Sequence, residues 1–228
     1  MILIPVKNLS SAKQRLASVL DQTARTQLAQ AMLHDVVSAL DAWKQRPPVA
    51  LVTSDPFAIE LAREYNFEII PDPINPGETG AIEIATRICV ERCVEYSLVI
   101  PADIPLIEAW EFEDILRQAP LAGSVLVPAA DGRGTNAALR RPAALFPLRF
   151  GNDSFKPHLA AARATRKPCV VLHSSGIAVD VDTPADLQHL LALPGNTRAQ
   201  RLAREWNLDV HAGTEKSLPP GTLTGEWE

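Results

Sequence analysis

Short apolar runs alternating with helical patterns, repeated from residue 2 to residue 100, constrain this chain more than any other feature. Residues 2–6, 49–53, 68–71 and 97–100 read as strands. Asp21 can cap a helix whose apolar residues Leu28, Ala31, Met32, Val36 and Leu40 recur at three- and four-residue steps. Pro56 opens a second helix to about Tyr65, and a third spans about 79–95 with Ala81, Ile84, Ala85 and Ile88 on one face. A helix between consecutive strands is the crossover that a parallel pair requires, because parallel neighbours cannot be joined by a tight turn. The expected fold is α/β with a mainly parallel sheet.

After Asp103 the rhythm changes. A helix over 111–118 is followed by strand candidates at 124–128, 135–140, 169–172 and 177–180, with one helix, 155–164, among them. This half is expected to be mixed, with some antiparallel pairing. Thr183-Pro184-Ala185-Asp186 opens another helix: Thr183 caps, Pro184 suits the first position, and Asp186 suits the positive end of the dipole. A short helix is expected over 197–206 and a mobile tail from Ala212. A chain of 228 residues, 46% hydrophobic, fits one sizeable α/β domain. That domain is placed at residues 1–193, with 194–228 as a C-terminal helix and tail.

The formal net charge of −5 supplies no general basic field for nucleic acid, so an anion site must be a local cluster of Lys and Arg. No apolar run approaches the ~20 residues that span a bilayer, so no membrane partner is expected. The apolar start, Met1 to Val6, is too short for a signal peptide and lacks a basic leader. Cys89, Cys93 and Cys169 are odd in number and lack paired spacing, which reads as buried reduced thiols in a cytoplasmic protein.

Pro101-Ala102-Asp103-Ile104-Pro105-Leu106 follows the strand at 97–100. An acid held between prolines at the carboxyl end of a strand is placed to meet a divalent metal or a phosphate-bearing ligand; it can also simply cap the next helix. Lys7, Lys13 and Arg15 bring three cations into the loop after the first strand, within reach of one triphosphate, or form a solvated basic loop. The loop lacks the glycine pattern of a Walker A segment. Asp180 and Asp182 alternate along a strand end, so at most one is expected to join Asp103. Asp182, directly before a helix, is preferred, because Mg²⁺ asks for one or two carboxylates plus phosphates and waters. Asp131-Gly132-Arg133-Gly134-Thr135-Asn136 is a hairpin turn or an anion cradle. Gly151 and Ser154 precede a helix and either cap it or meet a phosphate. His158 is read as packing or supporting rather than as a general base, since an ionised phosphate nucleophile needs none.

Together, Ile4-Pro5-Val6-Lys7, Ala12-Lys13-Gln14-Arg15-Leu16, the Asp103 segment, Gly134-Thr135-Asn136, Phe150-Gly151-Asn152-Asp153-Ser154-Phe155 and Asp180-Val181-Asp182-Thr183-Pro184 resemble the CofC/FbiD family, the guanylyltransferases of coenzyme F420 biosynthesis. The resemblance covers roughly residues 1–193. It implies a single-domain nucleotidyltransferase fold of the nucleotide-diphospho-sugar transferase type, with GTP as substrate and Mg²⁺ as cofactor. The implied acceptor is a three-carbon phospho-acid: 2-phospho-L-lactate, phosphoenolpyruvate or 3-phospho-D-glycerate. It further implies acceptor binding at Thr135, Gly151 and Ser154, and metal binding at Asp103 and Asp182. The chain departs from the more usual members over 75–81, where a Leu-Asn pair is expected. On this reading Lys7, Lys13 and Arg15 hold the triphosphate and the acceptor phosphate attacks its α-phosphorus.

Two alternatives share these motifs. One is another small-molecule nucleotidyltransferase, of the molybdenum-cofactor type, which usually has a glycine-rich first loop. The other is a non-catalytic nucleotide-binding regulator, which the retention of both Asp103 and Asp182 disfavours. The acceptor's identity is left open, as is whether Trp206 and Trp227 pack on the parent domain or in a homodimer.

Overall fold

The computed structural model describes residues 1–73, 77–151 and 153–206. Seven strands form one sheet: β1 Ile2–Val6, β2 Val49–Thr53, β3 Glu68–Pro71, β4 Ser97–Val99, β5 Gly123–Pro128, β6 Thr135–Arg141 and β7 Cys169–Val171. Their order is β3-β2-β1-β4-β6-β5-β7. Pairing is parallel except where β6 runs against β4 and β5. The expected α/β fold with a mainly parallel, mixed sheet is what the chain adopts.

The described residues form seven α-helices around the sheet and on one another: α1 Gln22–Ala42, α2 Pro56–Glu64, α3 Glu78–Glu91, α4 Ala109–Gln118, α5 Phe155–Ala164, α6 Pro184–Ala192 and α7 Arg198–Glu205. Ile2, Ile4 and Val6 of β1 pack under α1, α2 and α4, whereas Leu3 faces Ala81, Ile82 and Ala85 of α3. Strands buried on both faces explain why the first half reads as apolar runs rather than as alternation. A third cluster joins Leu28 and Met32 of α1 to Leu187, Leu190, Ala199 and Ala203 of α6 and α7. Trp206 packs against that cluster, so it rests on its own chain. Trp227 and the tail lie outside the described residues.

Capping follows the sequence where it was legible. Asp21 accepts from Ala24 N, and Thr183 and Asp186 form a capping box. Three expectations are corrected. The third helix stops at Glu91, and Cys93 turns the chain with φ +53. Cys93 is therefore exposed and Cys169 half-buried; only Cys89 is a buried thiol, though all three are free. Residues 177–180 form no strand. Their backbone groups find partners outside any strand ladder: Ala178 N donates to Ser174 O at 3.0 Å, the Ile177 and Ala178 carbonyls accept from the distant Asn136 Nδ2 at 2.9 and 3.3 Å, and Ala178 O also accepts from Ala130 N at 2.9 Å. Among the described residues no helix is long and apolar enough to cross a membrane.

Candidate active site

The chain leaves β1 for β2 on one side and reaches β4 on the other, so a crevice opens between the carboxyl ends of β1 and β4, where open α/β sheets bind ligands. The loop after β1 forms one wall. Asp55, the cap of α2, fixes it by accepting from Leu9 N at 2.9 Å as well as from Ala58 N at 3.0 Å. Lys13 takes a left-handed backbone conformation, φ +54, and extends its ammonium across the crevice.

There Lys13 Nζ bonds to Asp103 Oδ2 at 2.6 Å and to Asp182 Oδ1 at 2.8 Å. Sharing one ammonium, the two oxygens can be no farther apart than the sum of these distances, about 5.4 Å. Burial opposes the Lys13 charge, but the two carboxylates outweigh it and raise its pKa above the ordinary lysine value. Arg15 is mostly exposed, with Nη1 3.7 Å from Asp182 Oδ2.

Residues 103 and 182 meet for a backbone reason. Asp103 O accepts from Val181 N at 3.2 Å, which places the 180–182 segment directly beside it. Because this segment is not a strand, Asp180 and Asp182 do not diverge to opposite faces: both line the same cavity as Asp103. The expectation that only one would do so is corrected. Asp180 is held by Asn136 Nδ2 at 3.0 Å, and Asp186 Oδ2 accepts from Asp182 N at 3.1 Å.

Two cavities meet at these acids. The larger, about 520 Å³, is lined by Lys7, Arg15, Asp103, Asp180 and Asp182 on one side and by Arg133, Thr135, Gly151, Asp153 and Ser154 on the other. The smaller, about 300 Å³, is walled by Pro5, Val6, Leu9, Ala12, Ala29 and Met32. Lys7, Glu78, Asp103 and Asp182 border both. Glu78 was not singled out by the sequence; it opens α3 beside Ile74–Pro76, which lie outside the described residues. Burial, then the Asp103 charge, pushes its pKa up to about 7. Asp180 is raised to about 6, again mainly by burial.

The expected acceptor residues come together on the far wall. Ser154 does not cap α5 with its side chain; its Oγ accepts from Thr135 N at 3.1 Å. His158 Nε2 accepts from Arg149 N at 2.8 Å, so its Nδ1 carries the proton and donates to Thr135 Oγ1 at 2.9 Å. Both hydroxyls thereby keep a proton to donate to an anion. Gly151 has φ +141 with open space where a Cβ would stand, so glycine is needed there for its backbone conformation. The 131–134 segment is a self-capped hairpin turn: Asp131 Oδ1 accepts from Arg133 N at 2.7 Å and Gly134 N at 3.3 Å, so those amides do not cradle an anion.

His158 is buried, and desolvation followed by the Arg140 charge lowers its pKa to about 4. The unfolded chain, with histidine near 6.5, takes up the proton first as pH falls. The neutral ring therefore supports the fold fully above pH 6.5, and this support is lost as pH falls towards 4. Glu78 and Asp180, with raised values, act in the opposite sense over pH 7 to 4. Urea melts of wild type and His158→Gln isolate the histidine: the wild type is expected to lose about 2 kcal/mol more than the variant between pH 7 and 4, after discounting for solvent screening at the cavity wall. Parallel profiles would show that the ring is not held neutral.

Residues 1–218 match the family model described as "Guanylyl transferase CofC like". The chain is 35% identical to a phosphoenolpyruvate guanylyltransferase of Roseiflexus castenholzii, covering 90% of this chain and 93% of the relative. It is 32% identical to a 2-phospho-L-lactate guanylyltransferase of Methanothermobacter thermautotrophicus, covering 91% of each. A 3-phospho-D-glycerate guanylyltransferase of Colwellia psychrerythraea is also 32% identical, over 88% of this chain and 95% of the relative. A crystal structure assigned as a nucleotide-diphospho-sugar transferase from Desulfovibrio desulfuricans superposes with a TM-score of 0.72 at 19% identity, covering 90% of this chain and 94% of that one, a likeness of fold.

Proposed function

The chain belongs to the CofC-like guanylyl transferase family, and on that premise we propose that it transfers GMP from GTP to a three-carbon phospho-acid, releasing pyrophosphate. The observation that carries this reading is the meeting of Asp103 and Asp182 around Lys13 where the two cavities join. The smaller cavity, with apolar walls and a charged rim, takes the nucleoside. The larger takes the acceptor, which lies between the Thr135 and Ser154 hydroxyls and the Gly151 backbone on one side and the triphosphate on the other. Lys7, Lys13 and Arg15 offset the triphosphate's charge. The acceptor phosphate is ionised at neutral pH and attacks the α-phosphorus without a general base, so the residues act by positioning and charge neutralisation.

Asp103 and Asp182, which share the Lys13 ammonium, are close enough for one divalent cation to take ligands from both. Glu78, Asp103, Asp180 and Asp182 line one hollow, and the raised values of Glu78 and Asp180 reflect in part the Asp103 charge. Asp103 and Asp182 would hold Mg²⁺, a hard cation that prefers oxygen ligands and phosphates. When bound, it would neutralise and orient triphosphate oxygens. On this reading the product serves coenzyme F420 biosynthesis in the cytoplasm, a reading that the family match supports.

The test is a panel of phosphoenolpyruvate, 2-phospho-L-lactate and 3-phospho-D-glycerate, each with GTP and Mg²⁺. At least one is expected to yield a GMP adduct by mass, with one pyrophosphate per adduct. The absence of both from all three would overturn the proposal.

A further inference from the structure

We propose that a cavity behind α3 binds a small organic monocarboxylate with an apolar body, and that the buried Arg140 guanidinium is its counter-charge. The cavity measures about 510 Å³ and shares no lining residue with the two cavities of the crevice. It lies at the other end of the sheet. Arg140 stands opposite Ser97 at the start of β4, whereas the crevice opens at the carboxyl end of that strand.

Arg140 is a buried charge met by neutral groups. It is 2% exposed. Nη1 donates to Phe146 O at 2.7 Å, and Nη2 donates to Thr86 Oγ1 at 2.8 Å and Ser97 Oγ at 3.1 Å. Nε finds no acceptor among the described residues. Burial lowers the pKa to about 10, so the group stays charged at neutral pH. Neutral oxygens replace only part of the hydration that a cation loses on burial. An anion brought near it in this weakly screened setting is attracted more strongly than at the surface.

The rest of the lining selects the kind of anion. Ile82, Val90, Ala144, Phe146, Pro147 and Leu148 give apolar walls. Glu83 and Arg87, four residues apart on α3, bring opposite charges to the exposed rim and offset each other. The charge left facing the cavity is that of Arg140. It suits a single negative charge better than the near-double charge of a phosphate monoester. The volume lies within the roughly 300–1,000 Å³ of small-molecule sites.

A guanidinium that merely braced α3, β4 and β6 against one another would have no use for an anion, and titration separates the two roles. Isothermal titration of hexanoate into the full chain is expected to show binding at least tenfold tighter than that of hexan-1-ol, which has the same body without the charge. Hexanoate should also exceed butyrate severalfold, because each buried methylene adds up to about fourfold. Ala144→Trp fills the cavity from its exposed rim and should weaken hexanoate at least tenfold, with far-UV circular dichroism matching wild type. Arg140→Met should bring hexanoate down to the level of hexanol. Should that variant not fold, Ala144→Trp and the comparison with hexanol still decide. Hexanoate binding no tighter than hexanol, insensitive to chain length, or unchanged in Ala144→Trp would overturn the proposal and leave Arg140 a brace.

Discussion

Asp103→Asn is expected to lower GMP transfer by about three orders of magnitude while leaving the fold in place, because preorganised charge at a transferring phosphoryl group is the largest catalytic contribution such a site makes. The substitution keeps the side chain's shape. Its amide oxygen can still accept from Lys13, and Lys13 keeps Asp182 at 2.8 Å. The carboxylate is also only partly buried, so its loss leaves no orphaned core group. What disappears is one negative charge where the two cavities join. The measurement is the initial rate of pyrophosphate release with saturating GTP, Mg²⁺ and the acceptor identified by the panel, beside a thermal melt. Activity within tenfold of wild type, with an unchanged melting temperature, would remove Asp103 from the reaction and with it the metal assignment.

The second large effect is expected far from the chemistry. Glu111 of α4 is buried, and its carboxylate accepts from Ser174 Oγ, Gly176 N at 2.8 Å, Ile177 N at 3.3 Å and Glu108 N at 2.9 Å. It supplies the hydrogen bonds that residues 174–177 lack for want of a neighbouring strand. Those residues lead directly to Asp180 and Asp182. A Cβ on Gly176 would stand 2.2 Å from Glu111 Oε2 and 2.4 Å from the Leu106 carbonyl oxygen, so the turn is closed tightly onto the carboxylate. Glu111→Ala would leave several buried donors unpaired, at a cost of about 3 kcal/mol or more. Chemical denaturation should show that loss, together with a fall in transfer rate larger than the unfolded fraction explains. Glu111→Gln, which keeps an acceptor oxygen, should recover most of the stability. A Glu111→Ala protein as stable as wild type would show that this clamp does not hold the loop.

The two regions differ in how much of them could be read in advance. Apolar runs at 2–6 and 49–53 identify strands because each is buried on both faces, and Asp21 and Thr183 announce helix starts because a cap acts on amides two or three residues away. Lys7, Lys13, Arg15 and Asp103 stand out for the same local reason: each follows a strand that ends at the ligand-binding edge. Misreadings fall where the deciding partner is distant. Residues 177–180 have strand-like alternation, with Ile177, Val179 and Val181 buried. The Ile177 and Ala178 carbonyls accept from Asn136, 41 and 42 positions away, and Val181, just after the segment, donates to Asp103 O. Glu111 looks like an ordinary first-turn acid until the 174–177 turn is seen to rest on it. Glu78 has no motif at all; its character comes from standing between two cavities.

The primary structure by itself determined the layered α/β architecture, the cationic loop after β1, and the acids and hydroxyls available for phosphoryl chemistry. Helical and strand periodicity, capping and charge are properties of neighbours along the chain. Only the tertiary structure decided that Asp180 and Asp182 line one cavity with Asp103, that Lys13 lies between two carboxylates, and that Arg133 pairs with Asp153. These depend on contacts between segments as many as 169 residues apart, whose geometry is fixed by packing and by backbone hydrogen bonds that local sequence does not encode.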